Sequence, residues 1–137
     1  MVDGTLFGRV AYRGNCRPSN RFADVACRAN LLIHEATFKD GMEDDAVTKH
    51  HSTLGEAIGM VGKMNARALV LTHFSQRYPK IPLLSKIQCT TDEEGEERKR
   101  ISIALAFDFM RLAPHTIELA AKLTPALRLL YPGEEEL

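Results

Sequence analysis

A chain of 137 residues, 45% of them apolar, holds about one domain's worth of core. Its 18 basic and 18 acidic residues balance to a formal charge of zero, so nucleic-acid binding would need a local patch in place of a global basic field. Cys16, Cys27 and Cys89 lie far apart with no Cys-x-x-Cys spacing, which argues against a disulfide framework or a structural zinc knot and for a reducing compartment.

Arg9 to Tyr12 reads as a short strand that breaks at the turn pair Gly14-Asn15 ahead of Pro18. A helix follows, capped by Ser19, with Phe22, Val25, Ala26 and Ala29 on one apolar face. Leu31, Leu32 and Ile33 form a buried strand that runs out at His34 and Glu35. Phe38 to Lys49 is acidic and polar around Gly41, a surface loop or a frayed helix. Thr53-Leu54-Gly55-Glu56 has the form of a capping box, in which the Thr hydroxyl and the Glu carboxylate each satisfy a free backbone N–H. A helix therefore starts near His51 and continues through Ala57, Ile58, Val61, Met64 and Asn65. Gly59 and Gly62 each weaken it by about 1 kcal/mol relative to alanine unless close packing needs them.

Ala68 to Thr72 is a second buried strand, ending at His73. Residues 90–100 carry the charged run Asp92 to Arg100, a solvated loop. Ile101, Ile103, Leu105, Phe107 and Phe109 alternate with smaller or polar residues, the period of a half-buried strand. The last element is helical, with Thr124 as cap and Pro125 at a first helical position, and the acidic tail over 133–137 should fray. No apolar run approaches the ~20 residues that cross a bilayer, and the first ten residues lack the basic start and apolar core of a secretory signal. An intracellular, soluble protein with no membrane partner is expected.

Strands alternating with helices argue for an α/β layered domain, yet four strands are thin for a free-standing sheet. Glu35, His51 and His73 all sit where a strand or helix meets a loop, which is active-site placement. Each also has a plain alternative. Glu35 can be a surface carboxylate, His51 a residue at a helix start, and His73 a satisfied loop histidine.

The blocks HEATF from His34, HHST from His50, THFSQRYPKIP from Thr72 and AFDFM from Ala106, in this order and spacing, resemble the C-terminal part of ribonuclease Z, the tRNA 3′-processing endonuclease, most closely its long eukaryotic form. The likeness runs from Gly8 to about Pro132. It implies the second half of a metallo-β-lactamase-type αββα sandwich, incomplete here, so that residues 1–137 form a single partial domain. It also implies a site with two zinc ions that hydrolyses the phosphodiester bond before the 3′ trailer of precursor tRNA. The upstream His-x-His-x-Asp-His block that supplies most zinc ligands in the family occurs nowhere in this chain.

By the same resemblance His73 matches the last zinc ligand, and Asn15 stands where the family has a bridging aspartate. A neutral amide offers one weak oxygen where a carboxylate brings charge and two, so a two-metal site built on Asn15 should be weakened. Cys16 is a thiolate ligand or, more simply, a plain thiol. Glu35 and His51 match a pair near the scissile phosphate, His51 as general acid to the leaving 3′ oxygen and Glu35 orienting it. Ser52 and Thr53, at a helix start, are phosphate-binding candidates or ordinary capping residues. Arg77 meets RNA phosphate or pairs inside the fold. His50 and His115 receive no role.

Two readings follow. In one, the chain belongs to a tRNA 3′-endonuclease whose first half is supplied in cis or in trans. In the other it is a decayed, non-catalytic relative, an RNA-binding or interaction module. The isolated half should expose an apolar face and aggregate, form a homodimer or remain partly unfolded. The long family form implies nucleus and/or mitochondrion as compartment.

Overall fold

The computed structural model describes residues 8–74 and 101–130. Arg77, Cys89, the charged run at 90–100 and the tail at 133–137 lie outside the described residues. The elements are β1 (Val10–Arg13), α1 (Asn20–Val25), β2 (Leu31–Glu35), α2 (Glu43–Thr48), α3 (Leu54–Met64), β3 (Ala68–Thr72), β4 (Ser102–Leu105) and α4 (Ile117–Leu130), the last entered through a 3₁₀ turn at Pro114–Thr116.

The strands form one parallel sheet in the order β1-β2-β3-β4. Alternation along each strand sorts its side chains between two faces. The rung Ala11–Leu32–Leu69–Ile103 points to one side, where α1 and α3 cover it with Ala23, Ala57, Met60, Val61 and Met64. On the other side Leu31, Ala68, Val70 and Ala104 pack with Ile117 of α4. That cover is partial. Val10 and Tyr12 of β1, in register with Leu31 and Ile33 of the α4 face, remain exposed at 56% and 68%. Among the described residues, this β1 side of the sheet is an open apolar patch, and α4 adds exposed Leu119, Leu123 and Leu129.

Helix α3 starts as its sequence dictates. Thr53 Oγ1 accepts the Glu56 N–H at 3.3 Å, and Glu56 Oε2 accepts the Thr53 N–H at 2.9 Å. Such a cap is worth about 1 kcal/mol. The helix ends on Asn65 in the left-handed conformation, φ 50°. Gly59 and Gly62 answer no close approach, since a Cβ at either would meet nothing within 4 Å. Ser19 caps α1 by accepting the Phe22 N–H, and the acidic segment holds the short, largely exposed α2.

Three elements differ from the sequence reading. Helix α1 stops at Val25, which is 74% exposed, because the chain turns there so that the Arg28 N–H can reach the Met64 carbonyl at 2.7 Å. Strand β4 stops at Leu105, where its pairing with Leu71 ends, and Phe107 and Phe109 lie exposed in the turn beyond. Helix α4 starts at Ile117, not beside Pro125. The turn that leads into it is closed by Thr116, whose hydroxyl oxygen accepts the Ala113 N–H at 3.1 Å, and Pro125 lies within the helix on the exposed side. Thr124 is buried and turns its hydroxyl back to the Ala120 carbonyl at 3.4 Å.

Candidate active site

Parallel strands end at a common sheet edge, and ligands of α/β proteins collect at that carboxyl edge. The exits of β1, β2 and β3 bring Asn15, Glu35 and His73 there, with Glu35 opposite Thr72 and Arg13 opposite His34. The start of α3 adds His51, Ser52 and Thr53.

Glu35 is fully buried and accepts four hydrogen bonds. Its Oε1 takes the Cys16 N–H at 2.8 Å and faces His51 Nδ1 at 2.9 Å. Its Oε2 takes the N–H and the hydroxyl of Thr37 at 3.1 and 2.5 Å. An ionised carboxylate only accepts, which assigns a proton to Nδ1 of His51 and leaves Nε2 free of that bond. Thr37 Oγ1, 3.3 Å from the same Nδ1, takes a second share of that proton. Burial alone would raise the pKa of Glu35, but the bonds from Thr37, His51 and the Cys16 peptide outweigh it and hold the carboxyl below its ordinary range. The His51 ring is half-buried, tilted against Phe38 at 6.1 Å and stacked on His73 at 5.6 Å between centroids. His73 is exposed and left-handed, φ 60°, as is Asn15, φ 45°.

Of the two readings for Ser52 and Thr53, phosphate binding or capping, the structure forms the cap at Thr53 and turns both hydroxyls inward. Ser52 is fully buried and donates to the Cys16 carbonyl at 2.6 Å, while Thr53 is committed to its cap. Both hold the loop together and offer no free hydroxyl to a ligand. Thr37 and Arg17 were not legible as site residues. Arg17 donates to the His51 carbonyl at 2.8 Å and grips Glu56 with both terminal guanidinium nitrogens.

A zinc pair does not fit the described residues alone. They bring one imidazole and one amide of the resembled ligand set, and among them no group of three or more His, Cys, Asp or Glu side chains could hold a metal ion. Cys16 does not fill the gap. Burial pushes its thiol up, Arg13 opposes that and Glu35 adds to it, so the sulfur stays protonated near neutral pH. Cys16 and Cys27 are both free thiols.

His34 is buried beside Glu35, with Nδ1 2.7 Å from the Glu35 carbonyl and Nε2 without a hydrogen-bond partner. Burial, aided by Arg13, lowers its pKa against the pull of the Glu35 carbonyl bond. The unfolded chain therefore takes up a proton below about pH 6.5 that the folded chain refuses. Stability is expected to fall as pH drops from about 6.5 towards 5, and His34→Gln should flatten that part of the curve. Glu35 and Glu56 give a second loss only below the ordinary carboxylate range, as pH falls through their depressed folded values. Melting temperatures across pH for both proteins check this. An unchanged slope in the variant would refute it.

Ribonuclease Z 1 of Schizosaccharomyces pombe is 42% identical to this chain over 126 residues, covering 92% of it and 14% of the relative. The mouse zinc phosphodiesterase ELAC protein 2 is 39% identical over 128 residues, covering 93% and 14%. The crystal structure of a long form RNase Z from yeast aligns with a TM-score of 0.72 and 40% identity, over 89% of this chain and 15% of that one.

The chain belongs to the ribonuclease Z family.

No protein-family model matches it. The chain spans about 14% of the length of its curated ribonuclease Z relatives, and its parallel sheet with flanking helices is part of the metallo-β-lactamase fold. Zinc goes with the ribonuclease Z family through relatives named zinc phosphodiesterases.

Proposed function

We propose that this chain carries the proton-donating side of a tRNA 3′-processing endoribonuclease. The supporting observation is the Glu35–His51 pair, a buried, fully bonded carboxylate holding one nitrogen of an imidazole whose ring is half-buried beside His73. In the reaction, water attacks phosphorus and the bond from phosphorus to the 3′ oxygen breaks. His51 gives a proton to that oxygen as it leaves. Glu35 fixes the ring through Nδ1, so that Nε2 is the donating atom. His73 is proposed as a zinc ligand and Asn15 as a weak one, in a site completed by the first half of the fold. Arg77, which lies outside the described residues, is proposed to meet RNA phosphate. Precursor tRNA is the proposed substrate.

A second reading has an observation of its own. Asn15, standing where the family has its bridging aspartate, favours a decayed, non-catalytic relative. Co-expression with the upstream half of a long-form relative separates the two. The first reading expects zinc uptake and trailer cleavage by the complex and neither by this chain alone. A well-formed, zinc-loaded complex that leaves precursor tRNA intact would establish the second.

A further inference from the structure

We infer that Arg17 is a positioning residue, the group that sets His51 against Glu35. The inference rests on the proposed role of His51 but concerns a residue to which that role assigns nothing.

The pair Glu35–His51 joins two segments that run on into a short bridge, in which the Phe38 N–H donates to the Ser52 carbonyl at 3.1 Å and the Leu54 N–H to the Phe38 carbonyl at 3.0 Å, while the His51 N–H is held by the Ala46 carbonyl at 2.9 Å. Glu35 ends a strand, and His51 lies in the loop after α2, 16 residues on. Fixing the carboxylate does not fix the histidine backbone. Three bonds from the loop after β1 tie the carboxylate and the histidine segment to a common point on the carbonyl side of His51. The Cys16 N–H donates to Glu35 Oε1, and the Cys16 carbonyl accepts the Ser52 hydroxyl. One residue thus touches the carboxylate through its N–H and the residue after the histidine through its carbonyl. The third bond is made by Arg17, whose Nη1 donates to the His51 carbonyl itself at 2.8 Å.

Arg17 is in turn fixed from both ends. Its guanidinium forks onto the Glu56 carboxylate, and Nη1 lies 2.7 Å from Glu56 Oε2. That same oxygen accepts the Thr53 N–H at 2.9 Å, so the anchor of Arg17 is the cap of the helix that follows His51. At its backbone end, Arg13 donates to the Arg17 carbonyl at 3.4 Å and lies over the Phe22 ring. The planar guanidinium has two jobs at once, carboxylate and carbonyl, which a point-charge ammonium cannot duplicate. As a stability device the pair is modest, because both side chains are partly exposed, 30% and 23%. Its geometric consequence is larger. Without Arg17 the His51 carbonyl loses its side-chain tether, and the ring's hold on Glu35 is loosened although the backbone bonds of the segment remain.

The test uses this chain and reads the imidazole tautomers by long-range proton–nitrogen NMR. In the parent protein His51 should be a single tautomer with the proton on Nδ1. In Arg17→Met the ratio of tautomers is expected to fall about five- to tenfold, the change that loss of one net hydrogen bond implies. Arg17→Lys, which keeps the charge and one donor, should fall between. Val61→Ala is the control, destabilised in the core remote from this loop. An unchanged His51 signature in Arg17→Met would overturn the inference, as would an equal change in Val61→Ala at matched melting temperature. If Arg17→Met does not fold, Arg17→Lys carries the same comparison. Trailer cleavage is read separately in the completed enzyme. An intact tautomer in Arg17→Met with active enzyme sinks this inference alone. A shifted tautomer with no cleavage in the completed parent sinks the proposed function alone.

Discussion

His51→Ala, in an enzyme completed with the first half of the fold, is expected to slow trailer release by about 10²–10⁴-fold, the range a single positioned proton donor contributes. The loss should fall on kcat, because the ring acts on the oxygen that leaves and need not hold the rest of the substrate. Chemistry supplies the decisive control. A substrate with sulfur in place of the bridging 3′ oxygen leaves as a thiolate and needs no proton. His51→Ala should cleave that substrate about as fast as the parent enzyme does. If the sulfur substrate shows the same deficit as natural RNA, His51 is not the acid. Glu35→Gln removes the charge and puts an amide donor among the Thr37 and Cys16 donors, so it should lower kcat as well by releasing the His51 ring from its bond to Oε1.

Asn15→Asp in the same completed enzyme is expected to raise zinc occupancy by at least about 10–100-fold in affinity, the range that even an outer-sphere partner of a ligand commands. A carboxylate there restores negative charge and a second oxygen between two cations. The backbone should accept the change without strain. Asn15 is exposed in the left-handed region, φ 45°, which Asp tolerates as Asn does. Stability should therefore move by no more than about 0.5 kcal/mol. Metal per protein by mass spectrometry and melting with and without chelator measure both quantities. Unchanged occupancy would place the bridging position elsewhere.

What the sequence disclosed here was local and periodic. The apolar rungs of β2 and β3 and the Thr53–Glu56 cap follow from spacings of a few residues, and the structure forms them as read. Where pattern outran partner, the reading failed. The alternation from Ile101 to Phe109 continues past Leu105, but β3 offers no pairing there and the chain turns. Pro125 suggested a helix start, yet α4 is already under way there, entered through the turn at Pro114–Thr116 that Thr116 closes by accepting the Ala113 N–H. Ser52 stood as a phosphate-binding or capping candidate because it lies at a helix start, and its hydroxyl is spent on Cys16, 36 residues away. Arg17 escaped for the same reason. Its partners lie 34 and 39 residues distant, and no local spacing announces them. The resemblance picked out Glu35, His51, His73 and Asn15 by motif, and the strand ends place Glu35, His73 and Asn15 at one edge.

The four-bond setting of Glu35 has a dynamic consequence. Its donors come from the β1 exit, the β2 exit and the segment before α3, so no one of these segments can open without stranding a buried anion. An uncompensated buried charge is among the most costly defects a small domain can carry. Local fluctuation at this edge is therefore suppressed, and the amides of Cys16 and Thr37 should exchange with solvent only when the whole domain unravels.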